Sequence, residues 1–129
     1  MLDLILEGDK PVIQKVTNAV DCGIVINPDA ASNLAEGAVV DGIGNALFGE
    51  MTFKDGVPEK NNFHNYRMIR MSEAPKEIDV YFVQNEIDPT GMGEPTFPPV
   101  FGALANALYK ATGNRYYSQP FLGKELNLG

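Results

Sequence analysis

Metal-ligating and cross-linking side chains are nearly absent from this chain. It has one cysteine, one histidine and no tryptophan in 129 residues. One cysteine cannot form an internal disulfide or a thiolate metal cage. One histidine excludes a histidine-based metal cluster built by this chain alone. Basic residues are also few: ten Lys and Arg stand against 17 Asp and Glu, for a formal net charge of −7. That balance argues against nucleic acid and anionic membrane surfaces as partners. Lys54, Lys60, Arg67 and Arg70 are scattered and form no nucleic-acid-binding cluster. No stretch approaches the roughly 18 consecutive apolar residues of a membrane span. The opening Met1–Glu7 is apolar but short and acidic, unlike the basic start of a secretory signal. These absences suit a soluble cytoplasmic polypeptide without a nucleotide-type phosphate loop or internal repeats.

What remains is enough for one core. The chain is 44% hydrophobic, and its length sets a single domain as the upper bound. Thirteen glycines and nine prolines imply many turns. After a turn at Gly8–Pro11, Val12–Cys22 is β-rich with partial alternation and predicts a strand. Lys54-Asp55-Gly56 between β-compatible runs predicts a hairpin. Ile78–Val83 predicts a further strand. Strands and helices mix without a regular βαβ alternation, so the expected class is α+β.

Two helices are expected, at about 28–47 and 99–112. Asn27-Pro28 offers an N-cap and a first-turn proline to the first. Ala35, Val39, Ile43 and Leu47 recur every four residues and mark its buried stripe. Phe101, Leu104, Ala105 and Leu108 mark that of the second, which Gly113 ends. Gly37, Gly42 and Gly44 lie inside the first helix, each costing roughly 1 kcal/mol relative to Ala. Close approach of a backbone or large ligand would explain them, and so would tight packing on a sheet. Cys22 is expected as a small buried hydrophobe and His64 as a hydrogen-bonded loop residue. Pro120–Gly129 is expected as a surface or docking segment.

The functional candidate is Gly91-Met92-Gly93-Glu94-Pro95, between the Ile78–Val83 strand and the second helix. Two glycines permit a close backbone approach or a positive φ. Pro95 steers Glu94 away from helical geometry. A carboxylate held this way suits a catalytic base. An ordinary turn with a solvated Glu fits the same short string.

A resemblance covers nearly the whole chain from Val12 onward. It is carried by Ala19-Val20-Asp21-Cys22-Gly23 with Ile26-Asn27-Pro28, then by Glu36-Gly37-Ala38 and Leu47–Phe53. Asn62–Arg67, Met71–Pro75 and the Gly91–Pro95 turn continue it. In this order the motifs resemble the C-terminal part of the molybdenum hydroxylases, the xanthine dehydrogenase and aldehyde oxidase superfamily. Within it they resemble the molybdopterin-binding (beta, or large) subunit of the isoquinoline 1-oxidoreductase type.

The resemblance implies that Glu94 is the general base at a molybdenum centre, hydroxylating an N-heteroaromatic compound or aldehyde with water. It implies cofactor contacts at Gly91, Gly93 and Asn33, and no metal ligand from the chain itself. One departure stands out. Many relatives carry a pterin-bonding Gln two residues before the Glu-Gly pair, where this chain has Leu34 beside Asn33. Leu34 cannot make that hydrogen bond and Asn33 projects about 100° from it around a helix, so either the cofactor contact is lost or Asn33 reaches it by a local shift. Asp41 adds a negative charge unhelpful to a pyrophosphate. A whole subunit of the family is several times longer. The expectation is therefore a single partial domain over residues 1–129, a C-terminal piece inactive alone. The complete enzyme would hold molybdopterin, as the cytosine dinucleotide, and this chain alone none. Its implied partners are the remainder of the subunit and an iron–sulfur subunit. An isolated piece with a bared apolar face is expected to form homo-oligomers. The alternatives are a non-catalytic module serving assembly and a gene remnant that keeps the fold.

Overall fold

The computed structural model describes residues 1–122. Its main sheet has three strands in the order β1-β2-β5, where β1 is Leu2–Glu7, β2 is Lys10–Val20 and β5 is Glu77–Phe82. β1 and β2 form an antiparallel hairpin, and β5 runs parallel to β2. Two helices, α1 (Pro28–Phe48) and α2 (Pro98–Thr112), pack against the sheet and each other. This is the expected α+β arrangement, with both helices within a residue of their predicted bounds.

The first strand was hidden in the sequence, where Met1–Glu7 showed only as an apolar opening. Its pairing explains the partial alternation of β2. Leu4 pairs with Ile13 but Asp3 with Lys15, so Gln14 is an extra residue in a β-bulge. One inserted residue reverses which face each later side chain takes. Buried positions accordingly switch from Pro11 and Ile13 to Val16 and Val20. On the outer face, Lys15 pairs with Glu77 and Asp79, each at 2.6 Å.

The core gathers Leu2, Ile13 and Val16 from the sheet, Val39, Ile43 and Leu47 from α1, and Val100, Leu104 and Leu108 from α2. The predicted stripe Ala35, Val39, Ile43, Leu47 is buried throughout. Asn27 caps α1 as expected, its side-chain oxygen accepting from the Ala30 N–H at 3.1 Å. Gly113 ends α2 at φ 77°, a left-handed conformation that glycine takes without a Cβ clash. The predicted hairpin joins β3 (Phe53–Lys54) and β4 (Val57–Pro58) through Asp55 and Gly56, both at positive φ.

Of the segment expected to lie at the surface or to dock, Pro120 and Phe121 are buried. The Phe121 and Leu122 N–H groups donate to the Ala46 and Leu47 carbonyls at 2.8 and 3.0 Å. They satisfy last-turn carbonyls of α1 that would otherwise lack partners. The rest of that segment, 123–129, lies outside the described residues. His64 is exposed, and its ring makes no hydrogen bond to a described residue. Asn65 knits that loop instead, accepting from the Asn61 and Asn62 N–H groups.

The same loop is tied down by Arg67, which lies 4.0 Å from the Phe48 ring centroid and 2.5 Å from Glu73 Oε1. Arg67 holds the Glu73 carboxyl below its ordinary range, helped by the Arg70 N–H at 2.8 Å. A depressed folded-state pKa stabilises above the unfolded value, and that stability is lost as pH falls through the folded one. Glu73→Gln is expected to cost about 1 kcal/mol at pH 7, a figure discounted for the part-exposed Arg67. Thermal melts of both proteins should converge as pH is taken below about 4. A gap that persists undiminished at pH 2 would contradict this pairing.

Candidate functional site

β2 and β5 are parallel, and each leads toward a helix from its carboxyl end. The chain after β5 returns beside the end of β2. Val83 N–H donates to the Val20 carbonyl at 2.9 Å, Thr90 N–H to Cys22 at 2.9 Å, and Ile24 N–H to Ile87 at 3.0 Å. Asn85 also donates to Asp21 at 2.7 Å. At Gly23, φ 72°, an added Cβ would meet the Asp88 carbonyl oxygen at 2.4 Å. Only glycine lets these two segments pass so closely. Their union delivers Gly91–Pro95 to the carboxyl side of the parallel pair, where open α/β sheets bind ligands.

There the turn faces α1 across a cleft of about 530 Å³. One wall is Gly93, Glu94, Phe97 and Pro98; the other is Asn33, Leu34, Gly37, Ala38 and Asp41 of α1. Asn33, Gly37 and Asp41 recur every four residues, so they share one helix face. Glu94 is exposed into the cleft, and its carboxylate makes no hydrogen bond to a described residue. The turn itself is closed by the Phe97 N–H donating to the Glu94 carbonyl at 3.0 Å. Asp41, the second carboxylate, accepts from Asn45 Nδ2 at 2.9 Å.

The glycines divide by role. A Cβ on Gly42 would lie 3.0 Å from Val100 Cβ, and one on Gly44 2.9 Å from Ile69 Cγ2. Those two serve packing. A Cβ on Gly37 would meet nothing within 4 Å, and Gly37 lines the cleft. Gly91 and Gly93 likewise have nothing within 4 Å, and neither takes a positive φ. The turn therefore needs no left-handed glycine. What Gly37 and Gly93 provide is open floor. Leu34 and Asn33 both line the cleft, so the 100° between them does not force a choice. Sequence reasoning missed Thr96, buried beneath the turn at 5% exposure. Its only signal was a hydroxyl among prolines and aromatics.

Residues 8–75 match the molybdopterin cofactor-binding domain family. This chain belongs to that family. The molybdopterin-binding family member is 36% identical over 107 residues to the membrane-bound aldehyde dehydrogenase [pyrroloquinoline-quinone] of Gluconacetobacter polyoxogenes, covering 83% of this chain and 14% of that protein. It is 33% identical over 108 residues to isoquinoline 1-oxidoreductase subunit beta of Brevundimonas diminuta, covering 84% of this chain and 14% of the relative. The aldehyde oxidoreductase structure from Desulfovibrio desulfuricans shares the fold at a TM-score of 0.79 and 21% identity, over 92% of this chain and 13% of that one. The chain thus spans about one seventh of the length of the curated relatives it matches. No helix among the described residues is long and apolar enough to cross a membrane. Nor does any group of three His, Cys, Asp or Glu side chains among them suit a metal ion.

The cleft fits part of a molybdopterin. Open floor at Gly37 and Gly93, the Asn33 amide and the Glu94 carboxylate suit a polar ring system beside a reacting centre. A phosphate-bearing end is not served by this lining. It carries two carboxylates and no Lys or Arg. Pro98 and Pro99 also remove two N–H groups that a helix start would offer an anion.

The floor can be tested by contrast. Gly37→Ala is expected to stabilise the chain by up to about 1 kcal/mol, since a helix interior gains and nothing clashes. It should also lower the pterin content of the assembled enzyme, because the methyl group enters the cleft. Gly42→Ala should destabilise, as overpacking of about 1–3 kcal/mol outweighs that gain. Urea denaturation and pterin assay read both; a Gly37→Ala enzyme with full pterin content would contradict the floor.

Proposed function

We propose that this chain is a C-terminal segment of the molybdopterin-binding subunit of a molybdenum hydroxylase, with Glu94 as its general base. The observation that carries this is the placement of Glu94 across the cleft from the Asn33–Gly37–Asp41 face. A base must reach the proton it removes, and this carboxylate is exposed and uncommitted. The bound cofactor would supply two-electron redox capacity and Lewis-acid activation of water. Glu94 would accept the proton of that water at a carboxylate oxygen. Asn33 would donate an amide hydrogen bond to the pterin, and Gly91 and Gly93 would let it approach the turn. Aldehydes and N-heteroaromatic rings are the substrate classes, in keeping with the relatives' names.

The chain supplies part of the complete site and is inactive alone. The remainder of the subunit would provide the cations that neutralise the cofactor, here taken as the cytosine dinucleotide. An iron–sulfur subunit would carry the electrons away. Exposed Ile24 and Ile26 line a groove with Met92 of the turn, and in isolation they would drive self-association in the cytoplasm. Glu94→Gln in the assembled enzyme tests the reading. Turnover must fall with metal and pterin content unchanged, and full turnover would overturn it.

A further inference from the structure

Thr96 is the buried polar side chain among the described residues, at 5% exposure. Its Oγ1 lies 3.5 Å from the Ala35 carbonyl oxygen of α1, a long contact but the only polar one it makes to a described residue. A second contact follows at once. The start of α2 presses on Gly42, where a Cβ would meet Val100 Cβ at 3.0 Å and the Phe97 carbonyl oxygen at 3.2 Å. Ala35 and Gly42 are seven residues apart, about two helical turns or 10 Å along α1. The segment from Thr96 to Val100 is therefore held against α1 at two points.

Glu94 has no such hold of its own. It is exposed, preceded by a glycine with open space around it, and among the described residues is bonded only through its main chain. Its distance from the Asn33–Gly37–Asp41 wall follows from what anchors the residues just after it. A buried hydroxyl is unfavourable unless it is paired, so the Thr96 side chain resists any shift that takes it from Ala35. We propose that Thr96 is a positioning residue, setting the Glu94 turn at a fixed place against α1. The inference rests on the general-base reading of Glu94 for its kinetic consequence, but not for its structural one.

Thr96→Val keeps shape and removes the hydroxyl; Thr96→Ser keeps the hydroxyl and removes a methyl. In the assembled enzyme, Thr96→Val is expected to lower kcat about 10-fold with little change in KM, because a small misplacement of a catalytic group is costly. Thr96→Ser should restore kcat. In the isolated chain, amide hydrogen exchange at Phe97, which closes the turn, should quicken in Thr96→Val and return in Thr96→Ser. Wild-type kcat and exchange in Thr96→Val would overturn the proposal, as would a Thr96→Ser protein that behaves like Thr96→Val. If Thr96→Val does not fold, Thr96→Ser decides: unchanged exchange and kcat support the hydroxyl's role, and a loss of either overturns it. Full activity in Glu94→Gln would remove the base reading alone, since exchange at Phe97 still reports on the anchor.

Discussion

Glu94→Gln is expected to lower turnover of the assembled enzyme by about 10²–10⁴-fold, the usual contribution of a general base. Glutamine has nearly the same size and keeps a hydrogen-bonding oxygen, but it cannot take up a proton. The Glu94 carboxylate makes no hydrogen bond to a described residue and faces the cleft, so the exchange removes no internal contact. Thermal midpoints of the two isolated chains should therefore coincide within about 0.5 kcal/mol of stability. Molybdenum and pterin content should also coincide. Loss of turnover at constant stability and cofactor content separates a chemical role from a structural one. Asp41→Asn is the control. Asp41 lies on the same cleft but is engaged by Asn45, and a smaller effect is expected from it. If Asp41→Asn were the more damaging change, the base would have been assigned to the wrong wall.

The largest effect on stability is expected from Leu104→Ala, at about 2–5 kcal/mol. Leu104 is fully buried at 0% exposure, with Ile43, Leu108 and Val39 among the other most deeply buried side chains. It belongs to the core cluster shared by α1, α2 and the sheet, so packed surroundings resist collapse into the space left. A domain of this size commonly has about 5–15 kcal/mol of stability, and this one change would remove a large part of it. It should also loosen the functional turn, because α2 begins four residues after Glu94. Urea denaturation checks the magnitude. Leu34→Ala, at 48% exposure, should change stability far less. A loss under about 1 kcal/mol for Leu104→Ala would mean that α2 is not seated as described.

Local signals were readable where a few neighbouring residues settle the geometry. Asn27-Pro28 started α1, Gly113 stopped α2, and Asp55-Gly56 turned the short hairpin. The buried stripe Ala35, Val39, Ile43, Leu47 needed only a 3.6-residue period. Pairings between distant segments were not readable. Nothing local marks Met1–Glu7 as a strand until β2 lies beside it, and the Gln14 bulge blurs the alternation that would have revealed it. Phe121 gave no sign that its N–H would complete the end of α1, 75 residues earlier.

The site divides along the same line. Residue order alone determined that the chain carries one carboxylate on a glycine-flanked, proline-directed turn, that one Cys and one His cannot build a thiolate or histidine metal cage, and which family it resembles. Those are properties of short strings and of composition. Tertiary structure decided that Glu94 faces α1 across a cleft, that Gly37 opens its floor while Gly42 and Gly44 admit neighbours, and that Thr96 is buried against Ala35. Each of these joins residues more than 20 positions apart. Such contacts exist only once packing has brought the helices and sheet together, so no local pattern in the chain could announce them.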